Sequence, residues 1–136
     1  MADPASTSPG FCTLEAIRLI EREALARLPA GTLMERAARA VADEADRILR
    51  CLPRATPVVA LAGPGANGAD ALLAALKLEE RGYAVRAHAL SDRIPDDRDS
   101  AEVHRRWRER HGDPAPFAGL ATEGTPPALV IDGIFG

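Results

Sequence analysis

Apolar residues along this chain fall first into helical spacing and then into short runs suited to buried strands. Leu14, Ile17, Ile20, Ala24 and Leu28 recur in three- and four-residue steps behind Thr13, which predicts an amphipathic helix with a Thr cap. Pro29-Ala30-Gly31 breaks it. Thr32-Leu33-Met34-Glu35 then matches a capping box, in which the Thr hydroxyl and the Glu carboxylate satisfy free backbone amides. The stripe Met34, Ala37, Val41, Ala45, Ile48, Leu52 predicts a second helix that Pro53 ends.

From residue 57 the pattern changes. Pro57 to Ala62 is a short apolar run, suited to a strand buried on both faces. A glycine-rich loop, Gly63 to Gly68, follows it. Asp70 to Arg81 reads as a helix stopped by Gly82, a left-handed C-cap. Tyr83 to Leu90 reads as a second strand and Ser91 to Asp99 as a polar loop. Ser100 to His111 reads as a helix ending at Gly112. A Pro-rich connection runs from Asp113 to Pro127, and Ala128 to Asp132 is the third strand. Strands alternating with helices predict a parallel sheet covered on both faces. The expected fold is α/β, a Rossmann-like three-layer α/β/α arrangement with a mainly parallel sheet of three strands. The helix over 32–52 is expected to pack against that sheet. Ligands of such sheets bind at the C-terminal strand ends, where the glycine loop and Asp132 fall.

Composition adds exclusions. The 136 residues suit one domain, and scarce aromatics leave Ala, Leu and Val to fill the core. A net charge of −3, with mixed signs along the chain, argues against nucleic-acid or anionic-membrane partners. No apolar run approaches the roughly 20 residues needed to span a bilayer. Cys12 and Cys51 lack metal-ligand spacing and read as free thiols in a reducing cytoplasm. The first residues lack the regions of a signal peptide. Residues 1–12 read as a disordered start and 13–136 as the domain.

The chemistry concentrates in Gly63 to Ala71, GPGANGADA, between a strand and a helix. Glycines let backbone amides approach an anion closely, and a helix N-terminus adds partial positive charge. A phosphate-bearing ligand fits; a plain tight turn is the alternative. Gly63, Gly65 and Gly68 match G-x-G-x-x-G, a weak pattern alone, and no Lys-Ser/Thr pair marks a P-loop. An Asn67 amide oxygen suits a hard cation. Asp70 reads equally as a helix cap or as a ligand contact. His88, His104 and His111 do not cluster at metal spacing and read as surface or packing residues. The Arg-rich stretch 105–110 reads as a solvated face, and Trp107 as a packing residue.

The loop resembles the GPGNNGGDG signature of the NAD(P)H-hydrate epimerases, the YjeF N-terminal domain family. Leu33-Met34-Glu35-Arg36-Ala37 is similar to the family's LMErAg segment. Leu72 to Val85 resembles its following helix and GY-V step. Val130 to Gly136 resembles its vDaiFG segment. The order and spacing agree over residues 13–136.

The resemblance implies an isomerase that interconverts the R and S epimers of hydrated NADH and NADPH in nicotinamide cofactor repair. It implies substrate contacts at Ala66, Asn67, Gly68, Ala69, Asp70 and Gly136. It also implies one potassium ion held by Asn67 and Asp132. A dehydratase, fused or separate, is the implied partner enzyme, and a homodimer is compatible with the family. The family's domain continues past Gly136 with the catalytic acidic residue, so this chain is expected to be a fragment, incomplete at its C-terminus. Three positions depart from the family: Ala66 replaces an Asn, and Ala69 and Ala71 replace glycines. A methyl at 69 is expected to crowd a backbone needing positive φ. Two other functions stay open. One is a nicotinamide-dependent oxidoreductase using G-x-G-x-x-G, with Asp92 near the second strand end. The other is a non-catalytic nucleotide-binding or interaction module.

Overall fold

The computed structural model describes residues 10–53, 56–122 and 124–135. The expected disordered start therefore lies, through residue 9, outside the described residues. Chain contacts divide into two units, residues 1–33 and 34–136. In the first, helix α1 spans Leu14–Arg27, and the Thr13 hydroxyl accepts from the Ala16 N–H at 3.2 Å, the cap its sequence called for. None of its residues is buried.

Helix α2 spans Thr32–Leu49. The capping box does not form. The Thr32 hydroxyl donates to the Pro29 carbonyl at 2.7 Å, and the Glu35 carboxylate turns to Lys77 and Arg106 instead of its own helix start. The buried seam is Ala38, Ala42, Ala45 and Leu49: it keeps Ala45 of the expected stripe and elsewhere lies one position on from Ala37, Val41 and Ile48. Val41 and Ile48 remain 40% and 41% exposed. The larger side chains flank the seam, and alanines occupy the part with no room to spare.

In the second unit, strand β1 (Val58–Ala62), helix α3 (Ala66–Glu80), strand β2 (Val85–Ala89) and helix α4 (Arg98–His111) follow one another. A two-residue strand β3 (Ala115–Pro116), a 3-10 helix (Phe117–Thr122) and strand β4 (Leu129–Gly133) complete the order. All pairings are parallel and the strand order is β3-β2-β1-β4. There are thus four strands, not three. The Pro-rich connection supplies both the extra strand and the 3-10 helix. Gly82 takes φ 88°, the left-handed stop expected of it.

Side chains of Val58, Ala60, Ala62, Ala87 and Ile131 face one side of the sheet and join a core cluster with α2, α3 and α4. Val59, Leu61 and His88 alternate to the other side and are buried too. Helix α3 is apolar around most of its surface, as a helix enclosed by protein must be. Ion pairs fasten α2 to it: Lys77 with Glu35, and Arg81 with Asp43, both at 2.5 Å. The Tyr83 hydroxyl adds a bond to Asp46 at 2.6 Å. His88 Nδ1 lies 3.0 Å from the Pro116 carbonyl and ties β3 to the sheet.

The seam on α2 makes a stability prediction. Ala42 is fully buried, so Ala42→Leu overpacks the core and lowers the unfolding free energy by about 1–3 kcal/mol. Val41→Ser, one residue away on the exposed side, changes it by no more than about 0.5 kcal/mol. Urea denaturation of both variants checks the pair, and the reverse order would restore the sequence-based stripe.

Candidate functional site

The chain leaves β1 for β2 and β3 on one side, then returns to place β4 on the other side of β1. The crevice above such a reversal is where open α/β sheets hold ligands. Here it is bounded by the turn after β1 and the turn after β4. A cleft of about 620 Å³ opens there, lined by Pro64, Gly65, Leu90, Ser91, Ile134 and Phe135 among others. Its walls combine apolar side chains with backbone, as ligand clefts do.

Glycines make that junction possible. A Cβ on Gly63 would overlap the carbonyl of Ile134. A Cβ on Gly68 would overlap the carbonyl of Gly63, and one on Gly133 would meet the Asn67 carbonyl at 2.5 Å. Helix α3, the β1 turn and the β4 turn thus approach backbone to backbone. The Gly63 N–H also donates to the Gly133 carbonyl at 3.0 Å. Gly65, in contrast, faces open space. Two of the three glycines in the G-x-G-x-x-G pattern are therefore required by packing.

Helix α3 begins earlier than the sequence suggested. Gly65 is its N-cap, and Ala66, Asn67, Gly68, Ala69 and Asp70 form its first turns. This corrects two expectations. Asp70 is not a cap, and Ala69 is not strained, because no non-glycine residue among those described has positive φ. The first turn leaves backbone N–H groups of Ala66 and Asn67 outside the helix ladder, at its positive end. An anion seated there meets both.

Asn67 and Asp132 sit on the two turns. The Asn67 amide donates to the Phe135 carbonyl, so one side chain bridges α3 to the chain after β4. Asp132 alternates to the sheet face away from Ile131, and its Oδ1 accepts from the Ile134 N–H at 2.9 Å. The Asn67 Oδ1 and the Asp132 Oδ2 are the oxygens these two bonds do not use. Gly136 lies outside the described residues. Asp70 is partly buried, and its Oδ1 has no hydrogen-bond partner. Burial pushes its carboxyl above the ordinary range. Among the described residues no group of three or more His, Cys, Asp or Glu could hold a metal.

The histidines separate. His111 stacks on the buried Trp107, ring centroids 4.3 Å apart, and pairs with Glu79. His104 is 6% exposed, and its Nε2 lacks a partner. Cys12 and Cys51 are free and exposed. No helix of the described residues is long and apolar enough to cross a membrane.

Residues 30–136 match the family described as YjeF-related protein N-terminus. The chain belongs to that family. It is 43% identical over 128 residues to the NAD(P)H-hydrate epimerase of Bordetella pertussis, covering 90% of this chain and 50% of the relative. The NAD(P)H-hydrate epimerase of Rhodobacter capsulatus is 35% identical over 135 residues, covering 91% and 60%. The bifunctional NAD(P)H-hydrate repair enzyme Nnr of Mycobacterium tuberculosis is 35% identical over 129 residues, covering 93% and 25%. The chain thus spans about half the length of the epimerases it matches. The crystal structure of the yeast protein ynu0 superposes with a TM-score of 0.72 at 23% identity, over 90% of this chain and 55% of that one. It shares the fold.

Two outcomes follow for variants. Gly68→Ala forces backbone apart and costs about 1–3 kcal/mol or more. Gly65→Ser, an N-cap replacement in open space, changes stability by only a few tenths of a kcal/mol. Thermal unfolding of both distinguishes packing from loop flexibility as the reason for the pattern.

Asp70 gives a pH signature. Folding raises its pKa above the ordinary 3.8. Its stabilising contribution is therefore complete below that value and is lost as pH rises through the folded pKa. Relative to the parent, Asp70→Asn should gain stability as pH rises from the ordinary 3.8 through the raised folded pKa, with no gain below the unfolded value. A difference in urea midpoint that does not change with pH would contradict the burial of this carboxyl.

Proposed function

We propose that the domain to which this chain contributes interconverts the R and S epimers of hydrated NADH and hydrated NADPH. The observation that supports this most is the glycine-tight junction at the strand-order reversal, in a chain whose relatives are named for that activity. The substrate's phosphates lie against the first turn of α3, on the N–H groups of Ala66 and Asn67. Gly68 and Ala69 keep the helix close beneath them, and Asp70 borders the substrate from the second turn. Gly136 opens a further substrate contact.

Asn67 and Asp132 supply oxygens of the type a potassium ion takes. Each has one side-chain oxygen outside the hydrogen bonds described above, so the donor set fits. Bound there, the ion would add positive charge beside the dinucleotide's anionic oxygens. The remaining ligands would come from backbone carbonyls and from substrate.

Inverting a carbon that bears a hydroxyl requires reversible loss of that group and a positioned acid–base residue. We place that residue in the part of the relatives' length that this chain does not span. A dehydratase, fused as in a bifunctional repair enzyme or separate, would consume one epimer. Two free exposed thiols accord with work in the cytoplasm.

The test follows epimers of hydrated NADH by chromatography, in potassium and in sodium. A chain continued through the rest of the domain should equilibrate them rapidly in potassium. The 136-residue chain should be on the order of a hundred- to ten-thousand-fold slower, the usual cost of a missing acid–base group. Rapid interconversion by the short chain would place the acid–base group within its 136 residues. No interconversion by the longer chain would refute the proposed activity.

A further inference from the structure

A second cavity of about 300 Å³ lies beside the main cleft, past the C-terminal end of β2. Ser91 and Arg93 line both, so the two are neighbours that share a wall. Asp92, His104, Arg108 and Asp113 complete the part that matters. Its position is suggestive on geometry alone. A dinucleotide seated on the first turn of α3 by its pyrophosphate must send its two ribosyl halves in different directions. One direction leads along the sheet edge from β1 to the end of β2.

The chemistry of the cavity selects a ligand class. Its two arginines are already neutralised, Arg93 by Asp96 at 2.5 Å and Arg108 by Asp113 at 2.6 Å. Asp92 has no ion pair among the described residues, so the uncompensated charge is negative. His104 closes the wall from α4, 94% buried by its 6% exposure, with Nε2 unpartnered. Burial, reinforced by Arg108, pushes the imidazole below its ordinary pKa. An unpaired carboxylate suits hydroxyl groups and disfavours a phosphate. An acidic residue about 20 positions past a glycine loop is where dinucleotide folds hold ribose hydroxyls.

We propose that this cavity takes the adenosine ribose of the substrate, with Asp92 accepting from its vicinal hydroxyls beside His104. The site therefore discriminates against a 2′-phosphate and favours hydrated NADH over hydrated NADPH. This specificity rests on the dinucleotide-substrate reading above.

The experiment titrates the chain with ADP-ribose and with 2′-phospho-ADP-ribose by calorimetry, and with hydrated NADH in parallel. ADP-ribose should bind roughly tenfold or more tightly than its 2′-phosphate, the worth of one hydrogen bond to a charged group. Asp92 is exposed, so Asp92→Asn should fold, and it should shrink that preference to about threefold or less. The His104 ring protons should shift in NMR spectra on adding ADP-ribose, which a packing role alone would not produce. Equal or reversed preference in the parent overturns the inference, as does an unchanged preference in Asp92→Asn or a silent His104. If hydrated NADH binds in those cases, the function proposed above stands without this specificity. If hydrated NADH fails to bind, both fall.

Discussion

Everything at the ligand end of this sheet depends on three backbones lying closer together than side chains allow. Gly63, Gly68 and Gly133 come from the turn after β1, the first turn of α3 and the end of β4. Each would drive a Cβ into a neighbouring carbonyl. The close approach sets the angle at which α3 leaves the sheet. That in turn aims its N-terminal N–H groups along the crevice where the strand order reverses. It also brings Asn67 within reach of the Phe135 carbonyl. A ligand-facing geometry is therefore built from contacts that also hold the core together. Loss of any one glycine should damage stability and site together.

Much of this was legible in the amino-acid order, for identifiable reasons. The strands at 58–62 and 129–133 are runs of small and β-branched residues between turns, which leaves few alternatives. The helices stopped at Gly82 and Gly112 because those glycines take positive φ. The glycine loop and the Asp132 segment were correctly assigned to one end of the sheet. Other features answer to forces that periodicity does not register. The phase of α2 follows the space available, so Ala38, Ala42 and Ala45 are buried while Val41 and Ile48 are not. Glu35 left the helix start because Lys77 and Arg106, distant in sequence, offer full charges in place of a backbone dipole. Strand β3 is two residues long, too short for any alternation, and exists through its pairing with β2 and the His88–Pro116 contact.

His104 takes the packing place, one of the two readings its sequence left open. It lies in a helix dense with arginine, which argues for solvent. Yet Ser100, Val103, His104 and Trp107 recur in helical steps and all four are buried. The same stripe argument used for α1 and α2 would have placed His104 inside, had polar residues been admitted to it. Ser100 Oγ, one turn earlier, is likewise buried without a partner. Two polar atoms on one face of α4 are thus buried without a partner. Structural economy would have put apolar groups there.

The alanines at 69 and 71 can be understood in the same terms. The family signature has glycines there, and in a flexible loop an exchange would strain the backbone. In this chain both positions are inside α3, with ordinary helical φ, and are 0% and 3% exposed. Alanine in a helix interior is favoured over glycine by roughly 0.5–1 kcal/mol per position. The Ala71 methyl also fills the space facing Gly133, where a Cβ on that glycine would lie 2.7 Å from it. The pair trades side-chain roles across the interface: a methyl on the helix, none on the strand. The substitutions thus stiffen the first turns of α3 and leave Gly68, the glycine of α3 whose Cβ would strike backbone, unchanged. The requirement imposed by the fold is therefore narrower than the signature suggests: close approach at position 68, and helix everywhere after it.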